Sequence, residues 1–269
     1  MARTFNGTSD QIAFGSEAAI DDLTAYTAVA MVRITANVTD ERQIFTKMNS
    51  SFNGTVYLAA SGGGGNNNRI FTLVSGSTAW FAESAADALV VNTWRVVIST
   101  WAGGSGTAPK LYACTLGGTI AELSYTGTPA GGNGRVSDAA ATLRIGSRDP
   151  LDATFYAGGM AEVALWNRVL SADELAALGK GFAPAFFPYG RVAYCPVDGR
   201  HNTELNLASG TAGTVSGTSF LDHPPIIYPS SNVWRNKGAV TAPPAGGAPY
   251  TKFTGGVPYM NSSFSPRIW

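Results

Sequence analysis

The chain carries few residues with which to do chemistry. Its 269 residues include two cysteines and two histidines, and only 13% are charged, 18 basic against 18 acidic. Two Cys and two His at scattered spacing form no zinc ligand set. A formal net charge of zero removes the basic footprint of nucleic-acid binding and gives no reason to expect a membrane surface as partner. No apolar run approaches the ~20 residues of a membrane span. The opening "MARTFNGTSD" lacks the charged start and apolar core of a secretory signal, so none is expected. Both histidines, His201 and His223, fall in a late irregular stretch, and no Gly-x-Ser-x-Gly elbow or phosphate-binding glycine motif occurs. His223 in "LDHPP" reads as holding a turn before the prolines. The closely spaced inward acids of a glycosidase are also missing. Asp40-Glu41 and the pair Asp149 and Asp152 read as solvated turn carboxylates. We therefore expect no enzymatic activity, no cofactor and no metal; the loop oxygens that would suit a calcium ion are those of Asp10, Asp149 and Asp152.

What the chain has in abundance is glycine, 32 residues of it, together with Thr, Val and Ser, a composition suited to short strands and tight turns. Strand-like runs recur: "RTFNG", "QIAFG", "YTAVAMVRI", "RQIFTKM", "TVYLAAS", "RIFTLVS", "TAWFAES", "TWRVVISTW", "KLYACTL", "AELSYTG", "ATLRIGS" and "MAEVALW". Glycine-rich connectors at 61–68, 102–107 and 127–134 separate several of them. The fold expected is all-β, a two-sheet antiparallel jelly-roll sandwich with one short helix and an irregular C-terminal extension. Loops projecting from such a sandwich are where recognition usually resides. Cys114 and Cys195 lie in apolar, strand-like contexts and read as buried free thiols.

The segment "GGMAEVALWNRVLSADELAAL" changes period partway along. Ala161, Val163 and Leu165 alternate with Met160, Glu162, Ala164 and Trp166, which predicts a strand, and a helix follows from Ala172 to Leu178. Ser171 and Glu174 have capping-box spacing, Leu170 and Leu175 the spacing of a hydrophobic staple, and Gly179 marks the end. Two turns are too few to be stable alone, so Leu175 and Leu178 must pack on the sheet.

From about Phe182 one further strand is legible, Val192 to Cys195, and then turn-rich chain. After Lys237 the sequence is rich in Pro and Gly, with Tyr250, Phe253, Tyr259, Phe264 and Trp269 spaced along it. This divides the chain into a sandwich at 1–181, an extension packing on it at 182–237, and an extended arm at 238–269. A tail of that composition cannot offset its ordering entropy by burying itself, so its aromatics are expected to anchor on a partner, the alternative being an arm that folds back over its own sandwich and covers a sheet edge. Of the tryptophans, Trp94 and Trp166 read as core, while Trp80 and Trp101, beside glycine-rich loops, are the candidates for a glycan contact.

The runs from "RTFNGTSDQIAFG" through "NTWRVVISTW" and "KLY" to "LRIGSR" and "FYAGGMAEVALWNRVLSADELAAL" resemble the laminin G-like or pentraxin-like branch of the concanavalin A-like lectin/glucanase superfamily, in order from Arg3 to about Leu178. The resemblance implies that the closing segment is the last sandwich strand and a helix covering one end of the sheets. This chain has Ala161-Glu162 where many relatives carry Asp-Glu, and Cys114-Thr115 where they often carry Asp-Gly, so no inherited calcium site is implied. The segment "YCPVDG…LDHPP" is similar to extensions of such domains in bacteriophage-encoded proteins. Two functions are therefore expected. The first is a structural subunit on the virion surface, a capsid decoration or appendage protein assembled in the host cytoplasm, oligomeric, and docked on other virion proteins by the arm. The second is a lectin-like module or tail adhesin that recognises a cell-surface glycan.

Overall fold

Strands β3 (Tyr26–Ile34), β9 (Arg95–Trp101) and β13 (Ala157–Trp166) are buried along almost their whole length, which requires cover on both faces of their sheet. The computed structural model describes residues 1–49, 51, 53–62, 65, 67–139, 141–148, 154–199 and 202–229. In it these three strands form the middle of a seven-stranded sheet. They are flanked by β10 (Lys110–Thr115) beside β9, and by β1 (Ala2–Asn6), β14 (Arg191–Cys195) and β17 (Ser219–Leu221) on the β13 side. A second, eight-stranded sheet runs β15 (Thr203–Leu205), β16 (Ala212–Ser216), β2 (Gln11–Gly15), β12 (Leu143–Ile145), β4 (Arg42–Met48), β5 (Gly54–Ser61), β6 (Arg69–Val74), β8 (Trp80–Glu83). A small ribbon pairs β7 (Gly76–Thr78) with β11 (Asn133–Arg135). Pairing within the sheets is antiparallel, as expected for a jelly-roll sandwich.

The main core lies between the sheets, where Ala28, Ala30 and Val32 of β3 belong to the same cluster as Val56, Leu58 and Ala60 of β5. One polar knot crosses it: the Tyr26 hydroxyl bonds to Ser99 Oγ at 3.2 Å and to Thr72 Oγ1 at 3.0 Å, tying β3, β9 and β6 together. Burial holds this phenol above its ordinary pKa, so it stays neutral and able to donate.

A second apolar cluster covers the outer face of the seven-stranded sheet. Val29, Met31, Val96, Ile98, Ala164 and Trp166 pack there under helix α1 (Ala172–Gly179) and under Phe187, Leu221 and Ile226 of the later chain. Both halves of the Ser171/Glu174 capping box are made, and Leu175 and Leu178 are buried. Gly179 is the last helical residue rather than the residue that breaks the helix. Its need for glycine is packing: a Cβ there would lie 3.0 Å from Ile120 and 3.2 Å from Cys114 Sγ. The left-handed turn comes two residues later, at Gly181.

Strand β13 departs from simple alternation. Met160, Val163 and Leu165 face the inter-sheet core, whereas Ala161, Ala164 and Trp166 face outward. The expectation that Ala161 shares a face with Val163 and Leu165 is thus corrected. The cause is a bulge at Glu162, which has φ of 54° and interrupts the register with β3 between Ala161 and Ala164. Its buried carboxylate accepts a hydrogen bond from Tyr194 Oη at 2.9 Å and faces His223 Nε2 at 3.5 Å. His223 therefore pins the late segment to β13. At the start of the same strand, Gly158 has φ of 137°, and a Cβ would come 2.2 Å from the Arg33 carbonyl oxygen across the pair, a contact that only glycine avoids.

Three further corrections concern strand count. "AELSYTG" makes only isolated bridges, through Glu122 and Tyr125, while β7 and β11 are strands too short to show a period. The stretch after β14, read from sequence as turn-rich, supplies three more strands: β16 pairs with β2, β15 with β16, and β17 with β1. The charge pair of Arg3 and Glu204 joins the first strand to this extension and is almost wholly buried. Residues Met1–Ile227 form one compact unit; of the second, Tyr228–Trp269, only residues 228–229 are described.

Candidate functional site

With one outer face closed by α1 and the late chain, open concave surface has to be sought on the eight-stranded sheet and at the loop ends. The centre of that sheet's outer face is filled by Met48, Tyr57 and Ala59, which are buried, with Phe71 and Leu73 packed against them. Tyr57 meets Phe71 edge to face at 5.8 Å, and its hydroxyl accepts from Gln43 Nε2 and Arg148 Nη1, each at 2.8 Å. Toward the β8 edge the face opens.

There period-two alternation sends Ile70, Trp80 and Ala82 into the core and Phe71, Phe81 and Glu83 outward. Cross-strand pairing sets Phe71 opposite Glu83 and Leu73 opposite Phe81. Phe81 is 41% exposed. Residues 124–130 run back along β8, with Phe81 and Ala130 exchanging backbone hydrogen bonds at 3.1 and 2.9 Å, and so cover the sheet edge. Ser84 and Tyr125 form a second bridge along the same edge, and between the two bridges Thr126, Thr128 and Pro129 line the pocket together with the two phenyl rings. The result is a pocket of about 350 Å3. Glu83 is held in place by Ser61 Oγ at 2.7 Å on one carboxylate oxygen and by Arg69 Nη1 at 3.1 Å on the other. An apolar ring platform beside a fixed carboxylate can stack a sugar ring and accept hydrogen bonds from its hydroxyls.

A second pocket, of about 250 Å3, lies on the opposite side of β8, and Trp80 and Trp101 line it. These are the two tryptophans read from sequence as candidates for a glycan contact; they are 3% and 2% exposed, which leaves little ring surface open to a ligand. Their rings contact each other at 5.3 Å and 68°, because both sit at inward positions of their strands. Thr24, Ser105, Asn133 and Arg135 complete the lining with Gly104 and Gly134. The two glycine-rich loops abut here, Gly106 N–H donating to the Gly132 carbonyl at 2.9 Å. Trp80 Nε1 donates to the Gly104 carbonyl at 3.0 Å. Trp101 Nε1 is buried and has no partner among the described residues.

The remaining candidates are dispersed. Asp10 accepts from the Asn6 amide at 3.0 Å and braces a turn, and Glu41 pairs with Arg148 at 3.3 Å. Cys114 and Cys195 are free and buried, and burial pushes both thiols up in pKa, which leaves them poor nucleophiles. Trp166 is buried under α1 and Trp94 packs at the edge of that cluster. Asp149, Asp152, His201 and the arm aromatics Tyr250, Phe253, Tyr259, Phe264 and Trp269 lie outside the described residues. Among the described residues no three His, Cys, Asp or Glu side chains are placed to share a metal ion, and no helix is long and apolar enough to cross a membrane. Sequence reasoning missed Phe71, Phe81 and Glu83. The available signal was their outward phase in "RIFTLV" and "WFAE".

No curated protein is similar in sequence to this chain. Among solved structures it is similar to a candidate carbohydrate-binding protein from Bacteroides ovatus ATCC 8483, with 16% identity, a TM-score of 0.57, and coverage of 81% of this chain and 58% of that one. It is also similar to a heptameric SAP-like pentraxin from Limulus polyphemus, with 13% identity and a TM-score of 0.50 over 66% of this chain and 81% of that one. A third is tailspike protein 2 of an Escherichia coli O157:H7 bacteriophage, with 14% identity and a TM-score of 0.54 over 73% of this chain and 26% of the tailspike. At these identities the likeness is one of fold. The sequence model of the concanavalin A-like lectin/glucanases superfamily, in its Laminin_G_3 form, matches residues 6–176. That span runs from the end of β1 into α1, and it establishes that the chain belongs to the concanavalin A-like lectin/glucanase superfamily.

Proposed function

We propose that this chain is a non-enzymatic carbohydrate-binding module whose glycan lies in the outer-face pocket beside β8. The observation that carries the reading is the pairing of an exposed Phe81 and its neighbour Phe71 with a carboxylate, Glu83, fixed by Ser61 and Arg69. The platform offers a face for the apolar side of a sugar ring, and Glu83 takes a hydroxyl. The carbohydrate-binding description of the Bacteroides ovatus protein agrees with this reading. The test is binding of the full chain to an array of defined glycans, followed by titration of the retained glycan against Phe81→Ala and Glu83→Gln. Loss of ring contact worth about 1.5 kcal/mol predicts roughly tenfold weaker binding for Phe81→Ala, with the melting temperature little changed because the side chain is exposed. Retention of no glycan by the wild type, or equal affinity in Phe81→Ala, would rule the site out.

A second reading places this module on a virion as an appendage or decoration subunit, exposed at the particle surface and docked on other virion proteins through residues 238–269. The Pro, Gly and aromatic composition of that arm favours it, as does the fold shared with a phage tailspike. The two readings combine in a tail adhesin.

A further inference from the structure

We propose that the outer-face pocket beside β8 selects its glycan by charge: it takes a sugar unit that presents hydrogen-bond donors to Glu83, either neighbouring hydroxyls or an ammonium, and turns away acidic units such as uronic acids. This rests on the carbohydrate reading above and specifies the substrate class. Three observations carry it.

The first is the charge of the lining. Besides Glu83 it consists of two phenylalanines, two threonines, Gly127 and Pro129, with no Lys, Arg or His among the described residues. The Glu83 side chain is 21% exposed, and a carboxylate only accepts hydrogen bonds. The faces of the phenyl rings carry the negative part of the aromatic quadrupole. Rings and carboxylate therefore both favour a donor or a cation over an anion.

The second is where the compensating charge lies. Cross-strand pairing sets the outward residues in rows about 7 Å apart: Phe81 opposite Leu73, then Glu83 opposite Phe71, then Arg69 opposite Ser61. Glu83 thus stands between Phe81 on one side and Arg69 and Ser61 on the other. The Arg69 guanidinium does not line the pocket, and its Nη1 is committed to Glu83 Oε2 at 3.1 Å. A sugar seated on the rings meets the anion before the cation.

The third is the acceptor capacity left over. Each carboxylate oxygen has two lone-pair sites. Ser61 Oγ uses one on Oε1, and Arg69 uses one on Oε2. One site remains on each oxygen, so the carboxylate has two acceptors side by side, and their complement is a pair of donors: adjacent hydroxyls of one ring, or two N–H groups of one ammonium. An acidic substituent brings neither donors nor a favourable charge.

The test uses the full chain. Each neutral glycan retained on an array is compared with three analogues of its terminal ring, in which a hydroxyl is replaced by an ammonium, or the hydroxymethyl by a carboxylate, or by the uncharged carboxamide of the same shape. We expect the carboxylate analogue to bind about tenfold more weakly than the carboxamide. An ammonium analogue that binds more tightly than the parent marks the amine as the donor, and one that binds less tightly marks the hydroxyls. Raising salt from ~0.1 M to ~1 M shortens the screening length to about 3 Å and should cut the carboxylate penalty to about threefold or less. Glu83→Gln exchanges the anion for an amide that can donate, and should bring the carboxylate and carboxamide analogues to within about twofold of each other. Should that variant bind nothing, the salt titration of wild type decides. Equal binding of the two analogues at low salt, a preference for acidic glycans, or a penalty unchanged by salt would overturn charge selection while leaving the Phe81 platform standing. An array that retains nothing would instead remove the carbohydrate reading itself.

Discussion

Replacing Glu174 with glutamine tests the closing helix more sharply than removing its cap residue. The Glu174 carboxylate does two jobs: it accepts the Ser171 backbone N–H at 2.9 Å, completing the capping box, and it takes a two-pronged hydrogen bond from Arg168 at 2.8 and 2.6 Å. The Arg168 hydrogen bonds are the largest cause of its lowered pKa, about 2 against an ordinary 4.5, with burial opposing them. A carboxyl moved that far would contribute at most about 3 kcal/mol at neutral pH. The side chains of Arg168 and Glu174 are 25% and 21% exposed, so solvent screening reduces the figure to about 1–2 kcal/mol. The folded state holds this group ionised more tightly than the unfolded chain does. Its contribution is therefore complete above pH 4.5 and is lost as pH falls toward 2. Glu174→Gln keeps the shape and removes the charge. Thermal unfolding at pH 7 should place the variant below wild type by about 3–6 °C, and the gap should close between pH 4.5 and 2. Equal midpoints at pH 7, or a gap that is constant down to pH 2, would refute the account.

Two further outcomes follow from the structure and the arm. Lys47 is fully buried, with Nζ donating to the carbonyls of Asp138 and Ala141 at 2.8 and 3.1 Å and pairing with Asp21 at 2.7 Å; Lys47→Met should cost about 3 kcal/mol in urea unfolding, and a cost under about 0.5 kcal/mol would show that the ammonium is not what holds the 136–141 loop. Deleting residues 238–269 should leave a folded chain that binds glycan as the full chain does but no longer co-sediments with virus particles, whereas incorporation of the truncated chain would dismiss the docking arm.

The sandwich was legible because its signals are local. Most strand bounds are set by alternation and by flanking glycines, and α1 is announced within ten residues by Leu170, Ser171, Glu174 and Leu175. What stayed hidden depends on distant partners. Strands β15 and β17 have three residues each and exist because β16 and β1 offer edges, so no period marks them. The Glu162 bulge has no composition signal, since nothing in "GMAEVAL" announces a positive φ. The site was missed for a related reason: Trp80 and Trp101 look like ligand contacts when they are judged by the loops beside them in sequence. Their phase along β8 and β9 turns them inward, and the alternate positions of β6 and β8 turn the less conspicuous Phe71 and Phe81 outward.

The bond between the two ends of the described chain has a kinetic consequence. Arg3 is synthesised some two hundred residues ahead of its partners, yet it is buried against Glu204 and Thr218, and β1 lies between β13 and β17. At ribosomal rates the interval from residue 3 to residue 221 is about 10–40 s. Throughout that time β1 lacks its last neighbour, and a guanidinium destined for the interior has no carboxylate. Sandwich closure is thus a late event, set by non-local pairing that is intrinsically slow. A fragment ending near residue 176, where the family match stops, would expose an unpaired β1 edge and strand Arg3 without its acid. The extension that looks like an appendix in sequence is what completes the first strand.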